Sequence, residues 1–166
     1  SAFAMHLMSG ADTIVGAAAN LEVIDGGLGD DDITGNGASD YVGYSSAIDA
    51  VNVNLQSGEV TGGGGNDTLH SIENAIGSLY AGDNVLGSTG GNILDGGYDN
   101  NTDTTKNKVD ILSGGLGDDT YILRDGVDTI IDATGQGNDL LVSTVNRDLS
   151  KFTTTIERLQ ILNTAL

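Results

Sequence analysis

The sequence predicts an all-β repeat architecture, in which short strands alternate with glycine-rich turns along the whole chain. Three complete copies of the nonapeptide Gly-Gly-x-Gly-x-Asp-x-U-x, where U is a large apolar residue, begin at Gly26, Gly62 and Gly114. Between Asp31 and Asp49 the Asp and U positions recur every nine residues, which is not a helical period. The 26 Gly residues show no three-residue period and the chain has no Pro, so a collagen helix is excluded.

Each nonapeptide is expected to form a six-residue turn followed by a three-residue strand. Glycine permits turn conformations that a β-carbon forbids, the Asp ends the turn, and the U side chain points inward. The acidic position is filled along the chain by Asp12, Glu22, Asp31, Asp40, Asp49, Asp67, Asp110, Asp119, Asp128 and Asp139. The matching inward residues are Ile14, Ile24, Ile33, Val42, Val51, Leu69, Leu112, Tyr121, Ile130 and Leu141. Because these apolar residues keep the register, a solvated linker is disfavoured.

The regularity of the repeat divides one continuous module of residues 1–166 into five parts. Residues 6–49 and 109–142 hold regular repeats, and residues 50–97 hold irregular rungs around one complete repeat. Residues 98–108 are polar and break the register, which predicts an exposed inserted loop or one extra irregular rung. Residues 143–166 are expected to be closing rungs. Because the chain stops in what looks like the middle of a repeat, it is expected to be a fragment of a larger protein.

Two features of the irregular rungs give specific expectations. Residues 50–55 alternate apolar residues with asparagines, which predicts a half-buried strand. Asn84 and Asn92 are assigned to the Asp position, with Leu86 and Leu94 inward. We expect the two asparagines to form an asparagine ladder rather than to bind a cation.

The charge is strongly acidic and unevenly distributed. Asp and Glu number 24 against 6 Lys and Arg, giving −18, and residues 1–105 contain no Lys or Arg. A compact body of this charge repels itself, so bound cations are expected. The lack of a basic stripe argues against nucleic acid and anionic membrane surfaces as partners. Without Cys there is no disulfide, and no apolar run approaches the roughly 18 residues of a membrane-inserting helix.

The repeats resemble those of the RTX, or haemolysin-type calcium-binding, family. The resemblance rests on the three complete nonapeptides and covers nearly the whole chain. It implies a parallel β-roll, a β-solenoid of stacked 18-residue coils with two nonapeptides each and calcium ions in the turns. It also implies a secreted or cell-surface bacterial protein, exported by type I secretion. In such a protein the module folds on calcium and supports secretion, stability or adhesion.

The resemblance implies several Ca²⁺ ions, and the residue types suit them. Calcium prefers about 6–8 oxygen ligands, which a glycine-rich turn supplies as backbone carbonyls and a carboxylate. About half a dozen ions would cancel roughly −12 of the charge. The expected ligands are Asp12, Glu22, Gly26, Gly27, Leu28, Gly29, Asp31, Asp40, Asp49, Gly63, Gly65, Asp67, Asp110, Gly114, Gly115, Leu116, Gly117, Asp119, Asp128 and Asp139.

Turns 18 residues apart are expected to stack on the same edge. The acidic neighbours this predicts are Asp31 with Asp49, Glu22 with Asp40, Asp110 with Asp128 and, across a two-residue insertion, Asp119 with Asp139. Asp49 and Asp128 lack their glycines, so each stands evenly between a ligand and an ordinary surface carboxylate. Asp67 is less favoured than Asp31 and Asp119, because the rungs beside it lack the turn.

No catalytic constellation is recognisable, and a non-enzymatic module is expected. There is no His-Glu-x-x-His and no Gly-x-Ser-x-Gly, and the only histidines are His6 and His70, with His70 expected at the surface. Asp30 and Asp118 are expected to face solvent or to support the ligands. The alternatives are a polysaccharide-associated accessory module of a secreted epimerase, lipase or protease, and an enzyme acting through the strand face. The expected partners are calcium and an extracellular polysaccharide or cell-surface molecule, with residues 98–108 the place for partner-specific function.

Overall fold

The computed structural model describes residues 3–6, 9–18, 21–37, 39–79, 82–98, 109–124, 128–133, 135–144, 150–152 and 155–162. In chain order the first strands are β1 Phe3–His6, β2 Thr13–Val15, β3 Glu22–Asp25, β4 Asp32–Thr34, β5 Tyr41–Gly43, β6 Val51–Asn54, β7 Glu59–Gly62 and β8 Gly65–His70. The others are β9 Asn74–Ile76, β10 Asn84–Leu86, β11 Ile93–Asp95, β12 Ile111–Ser113, β13 Thr120–Leu123, β14 Thr129–Ile130, β15 Leu140–Ser143 and β16 Arg158–Ile161. Across the described residues the only helical segment is the 3-10 turn Ser150–Phe152.

The strands form two eight-stranded sheets that are mostly parallel. The first sheet has the order β1-β3-β5-β9-β11-β13-β15-β16, and every neighbouring pair in it is parallel. The second has the order β14-β12-β10-β6-β7-β8-β4-β2 and is parallel except on both sides of β7. The predicted all-β class with parallel strands is therefore confirmed.

The chain passes from one sheet to the other at most of its turns. Residues 26–31 carry it from β3 to β4 in the second sheet, and residues 35–40 carry it back to β5. We call the row of turns through which the chain enters the second sheet the first edge. The row of turns through which it leaves that sheet is the second edge. The acidic residue of each turn lies on an edge, and the U residue that follows points between the sheets.

The inward positions predicted from the repeat form the core. The confirmed inward residues, all at most 4% exposed, are Ile14, Ile24, Ile33, Val42, Val51, Leu94, Leu112, Tyr121 and Leu141. Leu69 is also buried, whereas Ile130 is only partly buried against the cluster. Residues 50–55 alternate as predicted, with Val51, Val53 and Leu55 buried. Each strand thus contributes about one large apolar side chain, and the core is thin.

An antiparallel meander interrupts the second sheet and corrects one predicted pairing. Strands β6, β7 and β8 follow one another in the same sheet, and both of their contacts are antiparallel. The glycines of the complete repeat at Gly62 make the tight turn from β7 to β8, with Gly62 and Gly65 at φ 130° and 141°. Strand β4 therefore pairs with β2 and β8 and not with β6, so the predicted pairing of Asp31 with Asp49 is wrong.

The register of β10 is also one residue away from the prediction. Asp83, not Asn84, ends the turn before this strand, and it is 1% exposed while Asn84 is exposed. Val85 then points inward in place of Leu86. The asparagine ladder predicted from Asn84 and Asn92 therefore does not form. The sequence contained the signal, since Asp83 lies nine residues before Asn92.

The insertion predicted at residues 98–108 lies almost entirely outside the described residues, except Tyr98, which is exposed. The same is true of residues 163–166 of the predicted closing rungs. In residues 155–162, Ile156 is buried, whereas Leu159 and Ile161 on β16 are exposed.

Candidate metal centres

A ladder of carboxylates runs along the first edge. The backbone N–H of each residue that ends a turn donates to the carboxylate of the next turn on that edge. The donor–acceptor pairs are Asp12 N to Asp31 Oδ1 (2.9 Å), Asp31 N to Asp67 Oδ1 (3.0 Å), Val51 N to Asp83 Oδ1 (2.8 Å), Asp83 N to Asp110 Oδ1 (2.7 Å) and Asp110 N to Asp128 Oδ1 (3.3 Å). The predicted neighbours Asp110 and Asp128 are confirmed. Val51 occupies the position assigned to Asp49, which is exposed and accepts from Ala50 N at 3.0 Å.

A second ladder runs along the second edge. Its pairs are Glu22 N to Asp40 Oδ1 (3.2 Å), Asp40 N to Glu73 Oε2 (2.9 Å), Asn92 N to Asp119 Oδ1 (2.8 Å), Asp119 N to Asp139 Oδ1 (2.8 Å) and Asp139 N to Glu157 Oε2 (2.9 Å). The predicted neighbours Glu22–Asp40 and Asp119–Asp139 are confirmed. Glu73 and Glu157 were not predicted as members. Both follow an isoleucine, and this repeated Ile-Glu pair was the available signal.

In four turns an oxygen of the side chain that ends the turn accepts a hydrogen bond from a backbone N–H of the turn itself. Glu22 Oε2 accepts from Ala17 N at 2.8 Å, and Asp40 Oδ2 accepts from Gly37 N at 2.7 Å. The turns ending at Asp83 and Asn92 close similarly, through the backbone N–H of Ser78 and Ser88. Because backbone N–H groups already satisfy these oxygens, the four turns close without a cation.

Asp31 and Asp119 differ from these residues, because their Oδ2 atoms accept no hydrogen bond from the turn. They are 3% and 0% exposed, and the Oδ2 atom of each is buried without a hydrogen-bond partner. Both end a Gly-Gly-Leu-Gly-Asp-Asp turn, which occurs in the sequence at these two places. Burial raises the pKa of the Asp31 carboxyl above its ordinary value, and it raises the pKa of Asp119 to about 6. Two buried carboxylate oxygens therefore lack a positive or hydrogen-bonding partner.

The first glycine of each turn provides the space for this oxygen. A β-carbon added at Gly26 would collide with Asp31 Oδ2, and one at Gly114 would collide with Asp119 Oδ2 and Tyr121 Oη. The glycines at the second and fourth positions of the turn have positive φ, 91° and 133° at Gly27 and Gly29. The chemistry fits a hard cation, since each turn combines a carboxylate oxygen with closely packed backbone carbonyls.

Backbone hydrogen bonds join these turns to their neighbours. Gly29 N donates to Gly64 O and Gly117 N donates to Gln136 O, each at 2.8 Å, and Gly10 N donates to Leu28 O at 2.7 Å. Within the described residues, no group of three or more His, Cys, Asp or Glu side chains could hold a metal ion. A cation at Asp31 or Asp119 would therefore also need backbone carbonyls or water as ligands.

A further carboxylate lies near Asp119 on the second edge. Both oxygens of Asp132 are buried without a hydrogen-bond partner. Burial, followed by the charge of Asp139, raises the pKa of Asp132 to about 7. Tyr121 Oη lies in the same region and accepts from Gly114 N at 3.0 Å. Asp132 was missed because it lies outside the acidic position of the repeat, and only the packing of its turn brings it close.

Asp67 differs from Asp31 and Asp119 although its nonapeptide is complete. Its Oδ1 accepts from Asp31 N, and its Oδ2 accepts from the Tyr44 hydroxyl at 2.8 Å. Tyr44 is 1% exposed, and burial beside Asp67 raises its pKa well above the ordinary value. Protein groups thus satisfy both oxygens of Asp67, in keeping with its lower rank in the sequence analysis.

Two acidic residues that precede a Gly-Gly pair were also missed. Asp25 accepts from Gly27 N at 3.0 Å and from the hydroxyls of Ser45 and Ser46 at 2.7 and 2.6 Å. Asp95 accepts from Gly97 N at 3.0 Å, and Arg124 binds it through Nε at 2.9 and 2.8 Å and through Nη2 at 2.6 Å. The shared tripeptide Asp-Gly-Gly was the available signal.

Arg124 supplies a positive charge to the buried Asp95, and its removal has a predictable cost. We expect Arg124→Gln to lower the free energy of unfolding by about 2 kcal/mol, because the buried carboxylate loses its ion pair. Arg158→Gln is the control, since Arg158 is exposed and donates from Nη2 to a single carbonyl, that of Asn138. Urea denaturation measures the stability of both variants. Equal stabilities would contradict a stabilising role for the Arg124–Asp95 ion pair.

The remaining polar residues of the sequence analysis lie on the surface. Asp30 and Asp118 are exposed and accept from the backbone N–H of Asn66 and Asn138, at 2.8 and 3.0 Å, so they support the neighbouring turns. His70 Nε2 lies 3.3 Å from Asp32, with both side chains 55% exposed, which agrees with the expected surface position.

Comparison with protein-family models and with curated proteins finds no match for this chain. Among the described helical residues, none belongs to a helix with the length and apolarity to cross a membrane.

Proposed function

We propose that this chain is a calcium-binding β-roll module of the RTX type, whose folding is coupled to calcium binding. One observation carries the proposal. Asp31 and Asp119 each bury a carboxylate oxygen without a partner, in the two turns with the sequence Gly-Gly-Leu-Gly-Asp-Asp. The resemblance of the repeats supports a secreted or cell-surface role for the module.

These buried carboxylate oxygens carry an energetic cost. A carboxylate removed from water without a partner opposes folding, and neighbouring carboxylates increase the cost. Asp31 lies near Asp12 and Asp67 on its ladder, and Asp119 lies near Asp139. Bound Ca²⁺ would supply two positive charges to oxygen ligands and convert this repulsion into attraction.

The thin core and the net charge of the chain also favour folding that depends on a bound cation. The thin core supplies limited hydrophobic stabilisation, and the net charge of −18 opposes compaction. A ligand that binds the folded chain and not the unfolded chain stabilises folding in proportion to the logarithm of its concentration. Calcium is the cation that the oxygen-rich turns favour over softer metals, because they offer no nitrogen or sulfur ligand.

The turn at Asp119 is expected to be the stronger of the two sites. Asp119 is fully buried, and Asp132 adds two more partnerless oxygens in the same part of the second edge. On the first edge, the only buried side-chain oxygen without a hydrogen-bond partner among the described residues is Asp31 Oδ2 itself. The local negative charge therefore favours a divalent cation most strongly around Asp119.

Isothermal titration calorimetry of the calcium-free chain with CaCl₂ tests the proposal, with MgCl₂ as the matched control. We expect a saturable heat with Ca²⁺ and a much weaker response to Mg²⁺, which keeps its waters and requires near-octahedral geometry. An absence of binding at millimolar calcium would overturn the proposal. Equal responses to the two ions would overturn the assignment to calcium.

A further inference from the structure

A cavity of about 220 Å³ lies on the outer face of the second sheet, far in sequence from the turns at Asp31 and Asp119. It is lined by side chains from three adjacent strands, β7, β6 and β10, which form the centre of that sheet. Besides Val53, its lining residues are Asn52, Asn54, Glu59, Thr61, Asn84 and Leu86. The calcium proposal uses none of these residues.

The strand register arranges these six side chains as two rows of three. The partners in the first row are Thr61, Asn52 and Asn84, and those in the second are Glu59, Asn54 and Leu86. Neighbouring members of a row lie on strands about 4.8 Å apart, and the rows are separated by two residues along each strand. The meander creates this grid, because it places β7 beside β6.

The grid stands on buried core residues. Val53 and Val60, which alternate with the lining residues, are each 2% exposed and pack into the core. Asn54 Oδ1 accepts from Ser57 N at 3.0 Å, and the Ser57 hydroxyl lies 3.3 Å from Glu59 Oε2 as its donor. These bonds hold two of the lining side chains in place before any ligand binds, which lowers the entropic cost of binding.

The chemistry of the lining selects the kind of ligand. Three asparagine amides and one threonine hydroxyl offer both donors and acceptors, Glu59 offers two acceptor oxygens, and Leu86 adds an apolar patch. Among the described residues no Lys or Arg lines the cavity, and the chain carries −18, which disfavours an anionic ligand. A single exposed carboxylate does not make a metal site. The paired inner strands offer no free edge to a peptide strand.

We propose that this cavity binds a neutral saccharide, with hydroxyl groups on the amides and Glu59 and the C–H face of the ring against Leu86. A sugar hydroxyl is both donor and acceptor, as the lining requires. The volume is below the roughly 300–1,000 Å³ of sites for drug-sized ligands, which suits one ring of a longer chain. The outer face remains polar beyond the cavity at Thr68 and Asp32, so further rings would cross the sheet.

The test uses the calcium-loaded protein, isotope-labelled for NMR, and four tetrasaccharides. Three are neutral, with gluco, manno and galacto configuration, and the fourth is the acidic tetragalacturonate. We expect at least one neutral tetrasaccharide to shift the backbone amides of residues 51–54, 59–61 and 84–86 in a saturable way. We expect tetragalacturonate to bind there with an affinity at least ten times lower. Absence of any neutral binding, shifts confined to other residues, or equal binding of the acidic sugar would each overturn the proposal.

Substitution then assigns the binding to the lining amides. The double variant Asn52→Ala/Asn84→Ala is expected to weaken neutral-saccharide binding at least tenfold, because it removes the central amides of the first row. Both asparagines are exposed, so calcium-dependent folding should be retained. Gln160→Ala removes an exposed amide on β16 of the other sheet, outside the cavity, so this control variant should bind as the native chain does. Unchanged affinity of the double variant would contradict the site, and the amide shifts of the native chain test it independently of any variant.

Discussion

Replacing Asp119 by Asn is expected to raise the calcium concentration needed for folding by about tenfold or more, since the number of charged ligands tunes calcium affinity. The substitution keeps the shape of the side chain. The remaining amide oxygen can still accept from Asn92 N, so the ladder bond can be retained. What is lost is the charged Oδ2, which is buried without a hydrogen-bond partner.

The same exchange at Asp49 is the matched control. From the sequence alone, Asp49 is as good a candidate for a ligand as for an ordinary surface carboxylate, but it lies outside the ladder and is exposed to solvent. Asp49→Asn should therefore leave the calcium midpoint of folding, followed by far-UV circular dichroism, at the native value. Equal midpoints for the Asp119→Asn and Asp49→Asn variants would contradict the assignment of the site to Asp119.

Replacing Gly114 by Ala should produce a similarly large effect without changing any acidic residue. The added β-carbon would collide with Asp119 Oδ2 and with Tyr121 Oη, which must move. We expect the calcium midpoint to rise by about tenfold or more, and the calcium-loaded chain to lose about 1–3 kcal/mol of stability through overpacking. Because the substitution leaves every charge in place, it tests the space beside the carboxylate separately from the charge.

Gly90→Ala is the control for this experiment. It lies in the neighbouring turn of the second edge, and an added β-carbon there would meet only Ser88 Oγ, at 3.9 Å. Neither Gly90 nor Gly114 has a positive φ, so backbone strain does not distinguish the two substitutions. Calcium titration and urea denaturation of both variants measure the difference. A Gly114→Ala variant that behaves like the Gly90→Ala variant would show that the space is not part of the site.

The core was predictable because the nine-residue period fixes which side chains point inward. Ile33, Val42, Leu112 and Tyr121 all lie where the repeat places them. One strand contributes one such residue, and the period changes little over the regular parts of the chain. Local sequence and global fold therefore agree there, as they do in repeat proteins generally.

The meander was not predictable by the same reasoning. A Gly-Gly-Gly-Gly turn at residues 62–65 provides positive φ both for a crossing to the other sheet and for a tight turn back into the same sheet. The choice depends on how residues 51–70 pair with each other, and spacing between acidic residues does not report it. The wrong pairing of Asp31 with Asp49 follows from assuming a crossing at every glycine turn.

The sequence favoured Asp31 and Asp119 over Asp67, but it did not separate them from other acidic residues at the same repeat position. Asp31 and Asp40 occupy the same repeat position, yet Gly37 N satisfies Asp40 Oδ2 while Asp31 Oδ2 has no partner. That difference depends on the direction of a backbone N–H within the turn. Asp132 shows the same limit, because its proximity to Asp139 arises from the packing of a turn outside the repeat pattern.

Far-UV circular dichroism of the chain, first in EGTA and then in millimolar calcium, tests the coupling of folding to calcium most directly. We expect a largely unfolded spectrum in EGTA and a β spectrum on addition of calcium, with magnesium at the same concentration far less effective. The reason is that the buried oxygens of Asp31 and Asp119 and the charge of −18 oppose folding until a divalent cation binds. A full β spectrum in EGTA, unchanged by calcium, would contradict this account.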